Sequence, residues 1–133
     1  MRIVCDTNIL FSAVLFPKSK LSKCLESIVG QYRIILPSQV IEELLEVVSR
    51  KFPQKIADCK HFLNQLDYEP HQTPEQFSKK DFPEIRDEKD LPILVSAIQS
   101  GADFFITGDQ DFHALPIEKP TIITITDFCA RFL

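Results

Sequence analysis

The chain reads as an α/β fold, a parallel sheet of about four to five strands covered by helices on both faces. Two features predict it. Short apolar runs alternate with longer stretches of helical periodicity, and acidic residues stand where the first and third of those runs end. With 133 residues and 44% hydrophobic content, residues 1–133 suit one compact domain.

Strands are expected at residues 2–5 (RIVC), 33–36 (RIIL), 104–107 (FFIT) and 121–125 (TIITI). The stretch 19–30 suits a helix closed by Gly30 as C-cap. Residues 38–51 follow Pro37, with Ser38 as the expected N-cap. Residues 54–66 are amphipathic, 90–100 stop at Gly101, and 126–133 form a short terminal helix turning Phe128 and Phe132 inward. The polar stretch 67–89 holds Pro70, Pro74 and Pro83 and is long for a bare loop, so Thr73-Pro74-Glu75 is expected to start a short helix there.

The formal charge is −4, unevenly spread. Residues 1–60 carry nine Lys/Arg against six Asp/Glu, or +3; residues 61–133 carry six against thirteen, or −7. Blanket electrostatic binding of nucleic acid asks for a basic protein, which this is not. If phosphates are handled, local cations do it, either bound metal ions or the basic residues Lys18, Lys20, Lys23, Arg50 and Lys51 flanking a groove. Cys5, Cys24, Cys59 and Cys129 are scattered without a C-x-x-C pair, which fits free thiols in a reducing compartment. Asp6 and Asn8 break the N-terminal apolar segment, so a secretory signal is not expected, and neither is a membrane span; the expected location is cytoplasmic.

The stretch RIVCDTNILFSAV raises the functional question. A charged side chain inside a buried run is costly unless something partners it. In parallel sheets, functional groups gather beyond the carboxyl ends of the strands. Asp6 sits there after the first strand, and Asp109 after the third in TGDQD, with Asp111 two residues on. On helix 38–51 the arc of Val40, Ile41, Leu44, Leu45, Val47 and Val48 leaves Glu43 at the rim of the core, while Glu42 and Glu46 point outward. Asp90 opens the helix DLPILVSAIQS, whose dipole is expected to keep it ionised. Carboxylates cannot share a small site unpaired. No Lys or Arg lies within two residues of Asp6, Asp109 or Asp111, and an all-oxygen set without histidine suits Mg²⁺ or Mn²⁺. Each acid also has a plainer reading: Asp90 and Asp111 as caps, Asp87 and Glu88 as a solvated face. His61, His71 and His113 lack ligand spacing, and Phe104 and Phe105 read as core. The combination favours a metal site.

With these residues in hand, the chain resembles the PIN-domain ribonucleases, including the VapC-like toxins of VapBC toxin–antitoxin pairs. The resemblance runs through VCDTNILFSAV, LPSQVIEELLEVVSRKF and DEKDLPILVSAIQSGADFFITGDQDF. It implies a three-layer α/β/α sandwich related to the 5′-nuclease fold, and endonucleolytic cleavage of RNA leaving a 5′-phosphate. By the same resemblance Asp6, Glu43, Asp90 and Asp109 form the acidic quartet holding Mg²⁺ or Mn²⁺. Asp111 supports them, and Asn8 and Thr107 orient the site by hydrogen bonds. A cognate antitoxin and a homodimer are implied partners. Leu91-Pro92 stands where many relatives carry a polar residue after the third acid, which makes Asp87 a second candidate for that role.

Two other classes compete with the nuclease. One is a non-catalytic RNA- or protein-binding module on the same fold. The other is a nucleotide-binding or phosphotransfer domain, which fails because Gly30, Gly101 and Gly108 cannot write G-x-G-x-x-G or a P-loop.

Overall fold

A computed structural model describes residues 1–133 as a five-stranded parallel sheet with helices on both faces. In chain order the elements are β1 (Arg2–Cys5), α1 (Thr7–Leu15), α2 (Lys20–Gln31), β2 (Arg33–Pro37), α3 (Ser38–Lys51), α4 (Ile56–Gln65), β3 (Tyr68–His71), α5 (Leu91–Gln99), β4 (Phe104–Ile106), α6 (Gln110–His113), β5 (Thr121–Ile123) and α7 (Ile125–Phe132). The strands lie in the order β3-β2-β1-β4-β5, with Ile3 of β1 opposite Ile34 on one side and Phe104 on the other. Ile3, Val4, Cys5, Ile34, Ile35, Leu36, Phe105 and Ile106 are fully buried, as the central strands of a doubly covered sheet must be.

This order fixes where a site can form. From β1 the chain builds outward through β2 and β3, then crosses back to add β4 and β5 on the other side. The switch point lies between β1 and β4, and their carboxyl ends open a crevice there. Asp6 extends the ladder at that end by donating its N–H to the Ile106 carbonyl at 3.0 Å.

Local chemistry moved several elements from their expected places. Residues 7–15 form a helix, α1, because Asp6 caps it: its carboxylate accepts the Thr7 N–H. The strand is therefore not interrupted by Asp6 but ended by it. Gly30 lies inside α2, which runs on to Gln31 and stops where Tyr32 turns extended. Ser38 does not cap α3; its hydroxyl accepts the N–H of Thr73, and Pro37 stands at the cap position without a side-chain bond. Thr73-Pro74-Glu75 starts no helix, and single 3-10 turns at Lys79–Asp81 and Glu88–Asp90 break up that loop instead. The fifth strand stops at Ile123, so that Thr124 can cap α7. β3 is an edge strand that carries Pro70 and pairs only with β2.

Two devices close the sheet's ends. Gly101 (φ +72°) ends α5 in the left-handed region, which favours glycine. Arg2 reaches from β1 to Glu69 of β3 (2.6 and 3.2 Å) and to the Ser100 carbonyl (2.7 Å). On the other side Phe128 of α7, fully buried, meets Phe104 and Tyr32 edge-on at 5.4 and 5.6 Å. Replacing Phe128 with Ala should cost about 3–5 kcal/mol by denaturant unfolding. A loss below about 1 kcal/mol would mean that α7 is not part of the cooperative core.

Candidate metal centre at the switch point

Asp6 is only 5% exposed, and both carboxylate oxygens are used. Oδ1 accepts the Thr7 N–H at 2.8 Å, and Oδ2 accepts the Thr107 hydroxyl at 2.7 Å. Burial pushes its pKa up; the two hydrogen bonds oppose this, and the charges of Asp109 and Glu43 add to it. Thr7 serves two acids, because its hydroxyl donates to Glu43 Oε2 at 2.9 Å while its N–H serves Asp6. The other Glu43 oxygen accepts from Gln39 Nε2, one turn earlier on α3, at 3.2 Å. Glu43 is half-buried while Glu42 and Glu46 are exposed, as the helical wheel requires.

Thr107, buried at the end of β4, is the joint of the site. Its hydroxyl donates to Asp6 and accepts the Asp109 N–H at 3.0 Å, and its carbonyl accepts from His113 Nε2 at 2.8 Å. Asp109 caps the short helix α6 by accepting the Asp111 N–H at 2.9 Å. Asp90, Asp109 and Asp111 can each present one oxygen, all within 4.8 Å of one another.

The expectation that the α5 dipole keeps Asp90 ionised is overturned. Asp90 closes a 3-10 turn and makes no capping hydrogen bond. Burial, then the charges of Asp109, Asp87, Asp6 and Glu43, push its carboxyl up to about 7. Asp87 is exposed and spends one oxygen on the Lys89 N–H at 3.0 Å, capping that turn.

Other candidates stand elsewhere. Asn8 is exposed; the hydrogen bonds to Asp6 come from Thr7 and Thr107. Lys18 lies beyond the far end of α1, and Lys20 and Lys23 on the first turns of α2. Arg50 is about 10 Å further along α3 than Glu43 and pairs with Glu46 at 2.8 Å. The cation beside the acids is one that sequence spacing did not single out: Arg86, whose Nε donates to both oxygens of Asp111 at 2.9 and 3.1 Å. Thr7, Gln39 and His113 were also missed. Only Thr7 carried a signal, standing next to a buried acid.

The PIN domain family model matches residues 2–111. The chain belongs to the PIN domain family. Several solved structures share its fold at low identity. A VapBC2 complex from Rickettsia felis, bound to a DNA fragment from its promoter, aligns at 22% identity with a TM-score of 0.70, covering 93% of this chain and 98% of the other. A DNA-bound VapBC from Salmonella typhimurium aligns at 15% and 0.69, covering 94% and 98%. VapC20 of Mycobacterium tuberculosis, described as a toxin cleaving the sarcin–ricin loop, aligns at 9% and 0.59, covering 84% and 93%. Among curated proteins the chain has no significant match.

The Asp90 shift gives a signed pH prediction for this PIN domain. A carboxyl raised in the folded state is protonated there and ionised in the unfolded chain, so stability falls as pH rises from about 4 to about 7 and then levels off. In chelator, Asp90→Asn should therefore gain stability relative to wild type across that window, read as the difference in melting temperature. A constant difference would exclude crowding of the acids.

Proposed function

We propose that this PIN domain is a metal-dependent endoribonuclease, the toxin of a toxin–antitoxin pair, cutting RNA by water attack on phosphodiesters. One observation carries the reading: Asp90, Asp109 and Asp111 can bring three carboxylate oxygens within 4.8 Å of one another, and the charges of Asp109 and Glu43 raise the proton affinity of both Asp6 and Asp90, so ionisation of the cluster calls for a cation. The donor set is all oxygen, and His113, beside Thr107, spends Nε2 on a backbone carbonyl, so the residues fit Mg²⁺ or Mn²⁺. The VapBC complexes and the sarcin–ricin-loop toxin among the structural neighbours support the toxin, antitoxin and RNA parts of the reading. A homodimer and a cytoplasmic setting belong to it as well; no helix is long and apolar enough to cross a membrane.

Asp90, Asp109 and Asp111 would hold the ion, with Asp6 and Glu43 completing the acidic ring. When bound, it would generate a hydroxide-like nucleophile from water and steady the leaving oxygen. The chain's own residues do the positioning. Thr107 and Thr7 lock the Asp6 carboxylate, whose oxygens retain lone pairs beyond their hydrogen bonds. Glu43 Oε1, held only by a side-chain amide at 3.2 Å, is the oxygen suited to accept a proton from the attacking water.

A non-catalytic binding module is the second reading, favoured by Arg86, which already neutralises Asp111. Cleavage separates the two. Asp109→Asn should lower RNA cleavage in Mg²⁺ or Mn²⁺ by about a hundredfold or more, the scale of losing one preorganised electrostatic group. Divalent ion at about a hundred times its Kd should stabilise wild type by about 2.7 kcal/mol, and the variant less. RNA retained but uncut across divalent ions would favour the binding module.

A further inference from the structure

We infer that the cleft enclosed by residues 79–91, beside the acidic centre, seats the backbone of a single-stranded RNA, with Lys79, Lys80 and Arg86 as its phosphate contacts. The cleft holds about 610 Å³ and is lined by these three cations, by Glu84 and Glu88, and by an apolar floor that includes Phe82 and Ile85. It reaches the acids through two lining residues: Leu91 follows Asp90 in the chain, and Arg86 holds Asp111. A strand held at Arg86 lies beside Asp111.

The cations are available to a phosphate. Lys79 is paired with Glu88 at 3.1 Å and Arg86 with Asp111, but the side chains of Lys79, Glu88 and Arg86 are 65%, 74% and 83% exposed. The Lys79–Glu88 pair, exposed on both sides, holds its partners weakly, whereas in the Arg86–Asp111 pair only the guanidinium is exposed, Asp111 being 19% exposed. Lys80 is exposed and makes no ion pair. Arg86 is the pivotal residue. Only its Nε bonds Asp111, so the two terminal nitrogens of the guanidinium remain to donate to a phosphate. This surface replaces the cations of α2 and the far end of α3 as the RNA contact. It rests on the nuclease reading only for where the strand leads.

The test is equilibrium binding of a short fluorescein-labelled single-stranded RNA in Ca²⁺, by anisotropy over a series of KCl concentrations. Lys80→Ala and Arg86→Ala should each weaken binding several-fold and each reduce the slope of log K against log salt by about 0.7, one phosphate contact on a single strand. A merely structural role would lower affinity without changing the slope. The melting temperature of Lys80→Ala should match wild type, and Arg86→Ala, which also strips Asp111 of its partner, should still unfold in one cooperative transition above the assay temperature. Unchanged slopes in both variants overturn the proposal. So does a slope lost instead in Lys18→Ala or Lys51→Ala, and so does absence of RNA binding by wild type. Cleavage in Mg²⁺ or Mn²⁺ that ignores Lys80 and Arg86 leaves the nuclease standing and removes the cleft. RNA binding that needs both residues, without cleavage, does the reverse.

Discussion

A carboxylate with almost no access to water is the constraint on which the rest of the site depends. Asp6, at the end of the central strand, must find hydrogen bonds or stay neutral. It finds them in the first peptide of the helix it caps and in a hydroxyl at the end of the neighbouring strand. Those two bonds fix the relation between β1, α1 and β4. Thr7 and Thr107 then hand the order on, one to Glu43 and the other to Asp109. The scaffold resolves the orientation of the acids by hydrogen bonding but leaves their repulsion unresolved, which is visible at Asp90.

Most of the sheet was legible because its interior strands are plain apolar runs whose burial on both faces admits no polar alternation. What escaped did so for physical reasons. β3 reads YEPH, polar and proline-bearing, because an edge strand covered on one side need not be hydrophobic. α1 hid because Asp-Thr-Asn looks like damage to a strand until the aspartate is seen as a cap. Among the acids, Asp6, Asp109 and Glu43 were placed by strand ends and helical phase, both of which periodicity reports. The ionisation of Asp90 was misjudged because a dipole acts along one element, whereas three of its acidic neighbours, Asp6, Glu43 and Asp109, come from others. Arg86 could not be found by spacing, since it stands 25 residues from the carboxylate it meets.

The structural neighbours share between 9% and 22% of residues with this chain over most of its length. Such divergence with retained topology says that the interior is replaceable by any residues of suitable volume and apolarity. The order of the strands is less replaceable, since it alone creates a crevice between β1 and β4. Three of the five converging acids, Asp90, Asp109 and Asp111, come from the acidic second half of the chain, and Asp6 and Glu43 from the first.

The edges of the sheet have a bearing on assembly. β5 is three residues long, and β3, four residues long, carries Pro70, which has no N–H to offer an incoming strand. Neither border can template another chain's backbone over any useful length. Association with other molecules is thereby directed away from main-chain pairing and onto side chains of the helices and loops, where recognition is specific and strand-by-strand aggregation has no starting point.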